Sequence, residues 1–309
     1  MKRSNSSKSA PFVAPLLSLL AAAAALLAGC GAAGPAAPAA KSDATPQRII
    51  SFSPSSTEVL YGIGAFDRVV AVSQYDEFPP EVARLPRVGG WSNTNMEQVA
   101  SLRPDLIIIT EAHVPFVKDK LETMGVRTVV VGGVSFADVY DGMEKIGAAT
   151  GREAEARRLI EETRARLEEV RARTRGLPRP RVLCIADRLP GTLRGLYAAT
   201  GGSFIVELIE AAGGESIAPP AEKGFGQISK EAVVELDPEV IIDMAQSSND
   251  AKLAEDPREV WGELSQVRAV REGRVYSLRD TSLIHPSQFV ADSARKFAEL
   301  LHPEAFGKK

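Results

Sequence analysis

Cysteine, histidine and surplus basic charge are all scarce in this chain. Of 309 residues, only Cys30 and Cys184 are cysteines, and only His113, His285 and His302 are histidines. Two cysteines exclude a disulfide-dense scaffold, and no Cys-x-x-Cys is present for redox or zinc chemistry. The histidines are far apart in sequence and lack the spacing of a zinc or manganese site, so no metal ligand set is expected. Neither His-Glu-x-x-His nor Gly-x-Ser-x-Gly occurs, and Gly62-Ile63-Gly64 lacks the third glycine of a dinucleotide fingerprint. These gaps point away from an enzyme and from a resident cofactor. Lysine and arginine total 37 against 40 acidic residues, with no basic stripe, so nucleic acid is not an expected partner.

The beginning of the chain reads as a secretory signal over residues 1–29. Lys2, Arg3 and Lys8 form a basic start, and an apolar stretch follows over residues 12–27. That stretch falls short of the ~20 apolar residues a membrane-spanning helix needs. Leu26-Leu27-Ala28-Gly29-Cys30 resembles the bacterial lipobox, whose cysteine becomes the lipidated first residue. The resemblance implies a body held outside the cytoplasm and anchored to a bacterial membrane through Cys30. Acyl chains would supply ~0.8 kcal/mol per buried CH₂. Removing residues 1–29 leaves 34 basic and 40 acidic residues, a net charge of −6. Residues 31–40 contain only Gly, Ala and Pro, and residues 30–47 read as a tether. It would span ~23 Å as a flexible coil. Cys184 lies in the apolar run Val182-Leu183-Cys184-Ile185 and is expected to be a buried small hydrophobe.

Two stretches 134 positions apart match one another. Residues 90–108 read GWSNTNMEQVASLRPDLII, and residues 224–242 read GFGQISKEAVVELDPEVII. Gly90, Trp91, Glu97, Val99, Leu102 and Pro104 correspond to Gly224, Phe225, Glu231, Val233, Leu236 and Pro238. A repeat this long is not a solenoid period. It indicates two similar α/β lobes, expected over residues 48–151 and 178–305, with a ligand cleft between them. Apolar runs at 49–52, 69–72, 106–109 and 128–131 alternate with helical patterns, predicting a mainly parallel sheet in the first lobe. Strands at 181–186, 240–244 and 274–278 are predicted in the second. Residues 152–177 are expected to form one long rigid helix joining the lobes, ~36 Å over its helical part. Its narrow stripe is Leu159, Thr163, Leu167 and Val170, and Glu153–Arg157, Glu162–Arg166 and Glu169–Arg173 stand at i,i+4 spacing.

Tyr75, Trp91 and Phe225 fall in predicted loops rather than on apolar helix faces. Such rings give large, stiff contact area suited to a flat macrocycle or an aromatic chelate. The segments RIISFSPSSTE (48–58), VSQYDEFPP (72–80), LPRVGGWSN (85–93) and GGSFI (201–205), with the repeat around Glu231, resemble the cobalamin- and ferric-siderophore-binding lipoproteins of ABC importers. The resemblance covers residues 47–303. It implies capture of cobalamin or a related corrinoid and delivery to a permease dimer, with a ferric siderophore or haem as the alternative ligand. A two-lobed enzyme and a membrane-tethered sensor are weaker readings. The family also implies that Glu97 and Glu231 dock onto permease arginines, one lobe per subunit. Gln288 stands where many siderophore-binding relatives have arginine; Arg188 and Arg194 are candidates to compensate. Arg188 and His285 therefore join the aromatics as candidate ligand contacts, and His113 or His285 is a candidate to touch a metal carried within a chelate.

Overall fold

The computed structural model describes residues 45–219, 224–244, 256–278 and 280–307. The expected signal peptide, Cys30 and the tether up to residue 44 lie outside them. The first lobe carries strands β1 (Ile49–Ser51), β2 (Val69–Ala71), β3 (Leu106–Thr110) and β4 (Arg127–Val131), all parallel, in the order β2-β1-β3-β4. Helices α1 (Pro54–Gly62), α2 (Met96–Ser101), α3 (Val114–Met124) and α4 (Phe136–Thr150) cover them. The sequence shows why the central strands need cover on both sides. Along β3, Leu106 and Ile108 join one apolar cluster with Val59 and Leu60 of α1 and Met143 and Ile146 of α4. Ile107 and Ile109 join another with Val99 of α2 and Val117 and Leu121 of α3. Alternate side chains thus meet helices on opposite faces, as a continuous apolar strand requires.

Helix α5 (Glu153–Thr174) follows as one unbroken element. Its buried stripe is Ala156, Ile160, Thr163, Leu167, Val170 and Thr174, with Leu159 half-buried against the same core. The three expected i,i+4 ion pairs are not among those the structure forms. Arg166 instead pairs with Asp292, Arg173 donates to the Ala305 carbonyl, and Arg158 sits 3.7 Å from Glu162. Long exposed side chains choose among several partners, a local one for Arg158 and tertiary ones for Arg166 and Arg173.

The second lobe carries β5 (Arg181–Asp187), β6 (Tyr197–Ala199), β7 (Glu215–Ser216), β8 (Phe225–Gln227), β9 (Val240–Asp243) and β10 (Val275–Ser277). Its helices are α6 (Phe204–Ala211), α7 (Lys230–Leu236), α8 (Pro257–Trp261), α9 (Arg268–Arg271), α10 (Val290–Leu301) and α11 (Pro303–Phe306). The sheet order is β10-β9-β5-β6-β8, with β7 alongside β5. β9 and β7 run parallel to β5, whereas β6 is antiparallel to both β5 and β8. Phe225, expected in a loop, lies in a strand on this antiparallel edge. The sequence repeat nevertheless survives in the backbone. Asn95 caps α2 and Ser229 caps α7, each side-chain oxygen accepting a backbone N–H. Arg103 and Asp237, at matching positions, both adopt positive φ (46° and 40°) before a proline, and β3 and β9 then begin at matching residues.

The lobes share one apolar cluster running from Ile49 and Leu60 through Ile160 and Leu167 to Phe297 and Leu301. Helix α5 packs against α4 on one side and α10 on the other. Beside it, the buried side chain of Glu58 on α1 meets the segment entering α10. Its carboxyl group is hydrogen-bonded to His285 Nδ1 at 2.7 Å and accepts from the Ser287 hydroxyl. Gln288 donates its amide to the Glu58 carbonyl at 2.7 Å. Gln288 is thus a 6 % exposed junction residue, not one aimed at a ligand. Leaving a buried polar group without its partner costs about 1–3 kcal/mol. Glu58→Ala is therefore expected to lower unfolding stability by at least that amount, measured by urea denaturation. A loss under ~0.5 kcal/mol, the scale of a surface substitution, would contradict this account of the junction.

Candidate functional site

In a parallel sheet, ligands gather at the carboxyl ends of strands where the connections diverge. In the first lobe that point lies between β1, which leads outward to β2, and β3, which leads outward to β4. Phe52 follows β1, and His113 closes a short 3₁₀ turn after β3. Their rings meet edge to face, centroids 5.7 Å apart. His113 is 1 % exposed, and its Nδ1 lies 2.8 Å from the Thr110 hydroxyl. The Thr110 N–H also points at that nitrogen, at 3.4 Å. Burial lowers the pKa of His113, partly offset by a hydrogen bond to the Phe52 backbone. The Trp91 ring stacks on the imidazole, centroids 5.2 Å apart and planes 8° apart, yet Trp91 remains 46 % exposed. His113 is therefore behind a tryptophan, not presented to a ligand metal.

The loop carrying Trp91 is short of bulk by necessity. Gly89 has φ +100°, and a Cβ on Gly90 would stand 2.7 Å from the Tyr75 hydroxyl. Gly90 N–H donates to Asn93 Oδ1 at 2.7 Å, and the Thr94 hydroxyl donates to the Gly90 carbonyl at 2.9 Å. Tyr75, half-buried, thus lies against the Trp91 loop. Its own turn is tied down by Asp76, whose carboxylate accepts from the Ser73 N–H and hydroxyl. Burial raises the Asp76 pKa, and the bonds from Ser73 and Thr57 temper the rise. Arg87 holds the same turn through the Ser73 and Asp76 carbonyls.

On the second lobe, Phe225 is 42 % exposed at the start of β8. Cross-strand pairing sets Ala199 opposite Phe225 and Tyr197 opposite Gln227, so Tyr197 and Phe225 are diagonal neighbours on one face. Tyr197 is 46 % exposed and was not expected from sequence; the three-residue strand β6 offers no alternation long enough to reveal it. Arg188 does not face a ligand. Its side chain is 1 % exposed, with Nε donating to Asp243 Oδ2 at 2.8 Å and Nη1 to the Thr192 carbonyl. Trp261 Nε1 donates to the same Asp243 oxygen at 2.7 Å. His285 belongs to the junction, 19 % exposed in its side chain and bonded to Glu58. Arg194 is exposed on the hairpin between β5 and β6. Cys184 is fully buried, with Sγ 3.4 Å from Met244 Sδ, and burial pushes its thiol pKa up.

Glu97 and Glu231 are both exposed in the first turns of α2 and α7. Backbone N–H donation and the Ser229 hydroxyl hold the pKa of Glu231 below the ordinary value. Among the described residues, no group of three or more His, Cys, Asp or Glu is arranged to hold a metal ion, and no helix is long and apolar enough to cross a membrane. A cavity of about 730 Å³ lies elsewhere, between the ends of α5 and α6, bordered by Phe136, Arg171, Thr174, Arg179 and Glu207. It includes none of the expected ligand contacts.

A family profile described as periplasmic binding protein matches residues 49–281. The ABC transporter substrate-binding lipoprotein YvrC of Bacillus subtilis is 28% identical over 265 residues, covering 84% of this chain and 82% of that protein. A vitamin B12-binding protein of Yersinia pestis is 28% identical over 198 residues, 63% of this chain and 69% of its own length. Among solved structures, a periplasmic heme-binding protein from Pseudomonas aeruginosa superposes with a TM-score of 0.71 at 26% identity, covering 84% of this chain and 93% of that one.

Burial lowers the pKa of both His113 and His302. The unfolded chain therefore takes up protons on these rings first as pH falls through the ordinary histidine value of about 6.5. Stability is expected to decline below that pH as the proton uptake of the two states diverges. Asp76 acts in the opposite direction, because burial raises its pKa and favours the folded state as pH falls. Thermal midpoints at pH 7.5 and 5.5 should fall for the natural protein and fall less for His113→Phe. An equal fall in both would remove His113 from this balance.

Proposed function

The chain belongs to the periplasmic binding protein family, and we propose that its aromatic site captures cobalamin or a related corrinoid outside the cytoplasm for delivery to an ABC permease. One observation carries the ligand reading: Trp91 lies flat on a buried ring and stays 46 % exposed, a ready plate for a large flat ligand. Tyr75 adjoins it through Gly90, and Phe225 with Tyr197 supplies exposed rings on the other lobe. The Yersinia relative, named for vitamin B12, supports this ligand. Haem or a ferric siderophore is the second reading, favoured by the likeness to the Pseudomonas protein. The positions of His113 behind Trp91 and His285 on Glu58 weigh against axial ligation of haem iron by either imidazole.

Equilibrium titration with cyanocobalamin, cobinamide, haem and ferric siderophores separates these readings. Trp91→Ala is expected to weaken binding of the preferred ligand by ~1–3 kcal/mol, the usual cost of removing an aromatic anchor. The thermal midpoint should change little. Unchanged affinity would make Trp91 surface padding.

Lipidated Cys30, the tether over residues 30–47 and the domain limits given above complete the proposed arrangement, with the lobes held at a membrane surface. Glu97 and Glu231 are the proposed permease contacts. They occupy matching, exposed positions on the two lobes, and two charge pairs made together would fix orientation as well as position. The double variant Glu97→Arg/Glu231→Arg should keep its fold and ligand affinity but lose transport, with partial defects in each single variant. Cys30→Ala should in the same cells abolish lipid attachment, read by fatty-acid labelling, and leave an uncleaved or mis-processed precursor. Normal uptake by the double variant would refute the docking role, and a lost fold would make the carboxylates helix-capping groups.

A further inference from the structure

We propose that His113 is a positioning residue for ligand capture: its imidazole is a fixed backing plate that holds the Trp91 indole in one orientation. The inference rests on the reading of Trp91 as the ligand platform. Trp91 sits in a loop with two adjacent glycines, Gly89 and Gly90, where the backbone offers little restraint on a side chain. The loop's side-chain hydrogen bonds, from Gly90 to Asn93 and from Thr94 to Gly90, fix main chain and leave the indole untouched. Among the described ring contacts, only His113 meets the indole, with planes 8° apart.

His113 is suited to that task because it is itself immobilised from three directions. The Thr110 hydroxyl lies 2.8 Å from Nδ1 and fixes the rotation of the ring. The Phe52 ring presses at 70° from the side, centroids 5.7 Å apart. The main chain of His113 closes the three-residue 3₁₀ turn that links the end of β3 to the first residue of α3, which ties its position to both elements. Orientation therefore passes from the sheet to His113 and from His113 to Trp91. A preset indole loses less side-chain freedom when a ligand covers its remaining face. This makes His113 a contributor to affinity without touching the ligand.

Two substitutions separate the ring from its hydrogen bond. His113→Phe keeps a flat ring to stack on and loses the Thr110 bond; His113→Asn keeps a polar partner for Thr110 and loses the ring. Trp91 mobility is read in the ligand-free protein by time-resolved fluorescence anisotropy and acrylamide quenching, against the fully buried Trp261. Expected for His113→Asn are faster local depolarisation of Trp91, greater quencher access and a roughly 2- to 10-fold weaker Kd for cyanocobalamin. His113→Phe should recover most of both losses relative to His113→Asn. Trp91 motion in the asparagine variant indistinguishable from the natural protein would overturn the proposal, as would equal losses in the two variants. If His113→Asn does not fold, Thr110→Val replaces it: freeing the imidazole should loosen Trp91, and an unchanged anisotropy overturns the proposal. Loosened Trp91 with no cyanocobalamin binding by any form, the natural protein included, upholds the positioning role and rejects the corrinoid reading.

Discussion

The geometry of the site depends on the junction built around Glu58. A buried carboxyl group is costly unless its oxygens are hydrogen-bonded. Here both oxygens are, and the partners come from residues more than two hundred positions later, on the other lobe. The contact therefore requires both lobes to be in place. It sits beside an aromatic chain in which Tyr61 meets Phe78 and Phe78 meets Phe289, centroids 5.1 and 5.3 Å apart. Together with the apolar cluster shared through α5, these contacts oppose hinge motion. Opening the lobes would expose core residues and strand the Glu58 partners at the same time.

Polar and ionisable residues divide between frame and site in an instructive way. Arg188 and Asp243 lock the ends of β5 and β9 together, and Trp261 completes their cluster. His285 and Gln288 serve the junction, and His113 serves Trp91. Large apolar side chains that remain exposed in the segments around them include Trp91, Phe225, Tyr197 and Leu189.

Much of this was legible in the sequence, for definite reasons. Strands buried on both faces produce long apolar runs, so β3, β5 and β9 were readable, and α5 announced itself by lacking glycine and proline. The internal repeat located α2 and α7 and placed Trp91 and Phe225 on the same footing. β6, β7 and β8 were not readable, because Tyr197–Ala199, Glu215–Ser216 and Phe225–Gln227 lack the apolar runs that revealed the equally short β1, β2 and β10. Their pairing is decided by neighbours in space. The roles of individual ions were equally hidden. Arg188 and Arg194 follow the same strand six residues apart, yet one is buried on Asp243 and the other is solvated. Only the arrival of β9, some 55 residues later, distinguishes them.

The repeat also separates what is inherited by structure from what is added for recognition. Both copies keep a capping residue, a glutamate in the first turn, a left-handed residue and a proline before a central strand. Caps and turns explain the first, third and fourth of these by local backbone needs. They do not require an exposed aromatic six residues ahead of the glutamate in each lobe. Trp91 is carried by a loop and backed by His113, whereas Phe225 is carried by an edge strand beside Tyr197. Different supports thus carry an exposed ring at the matching sequence positions of the two lobes.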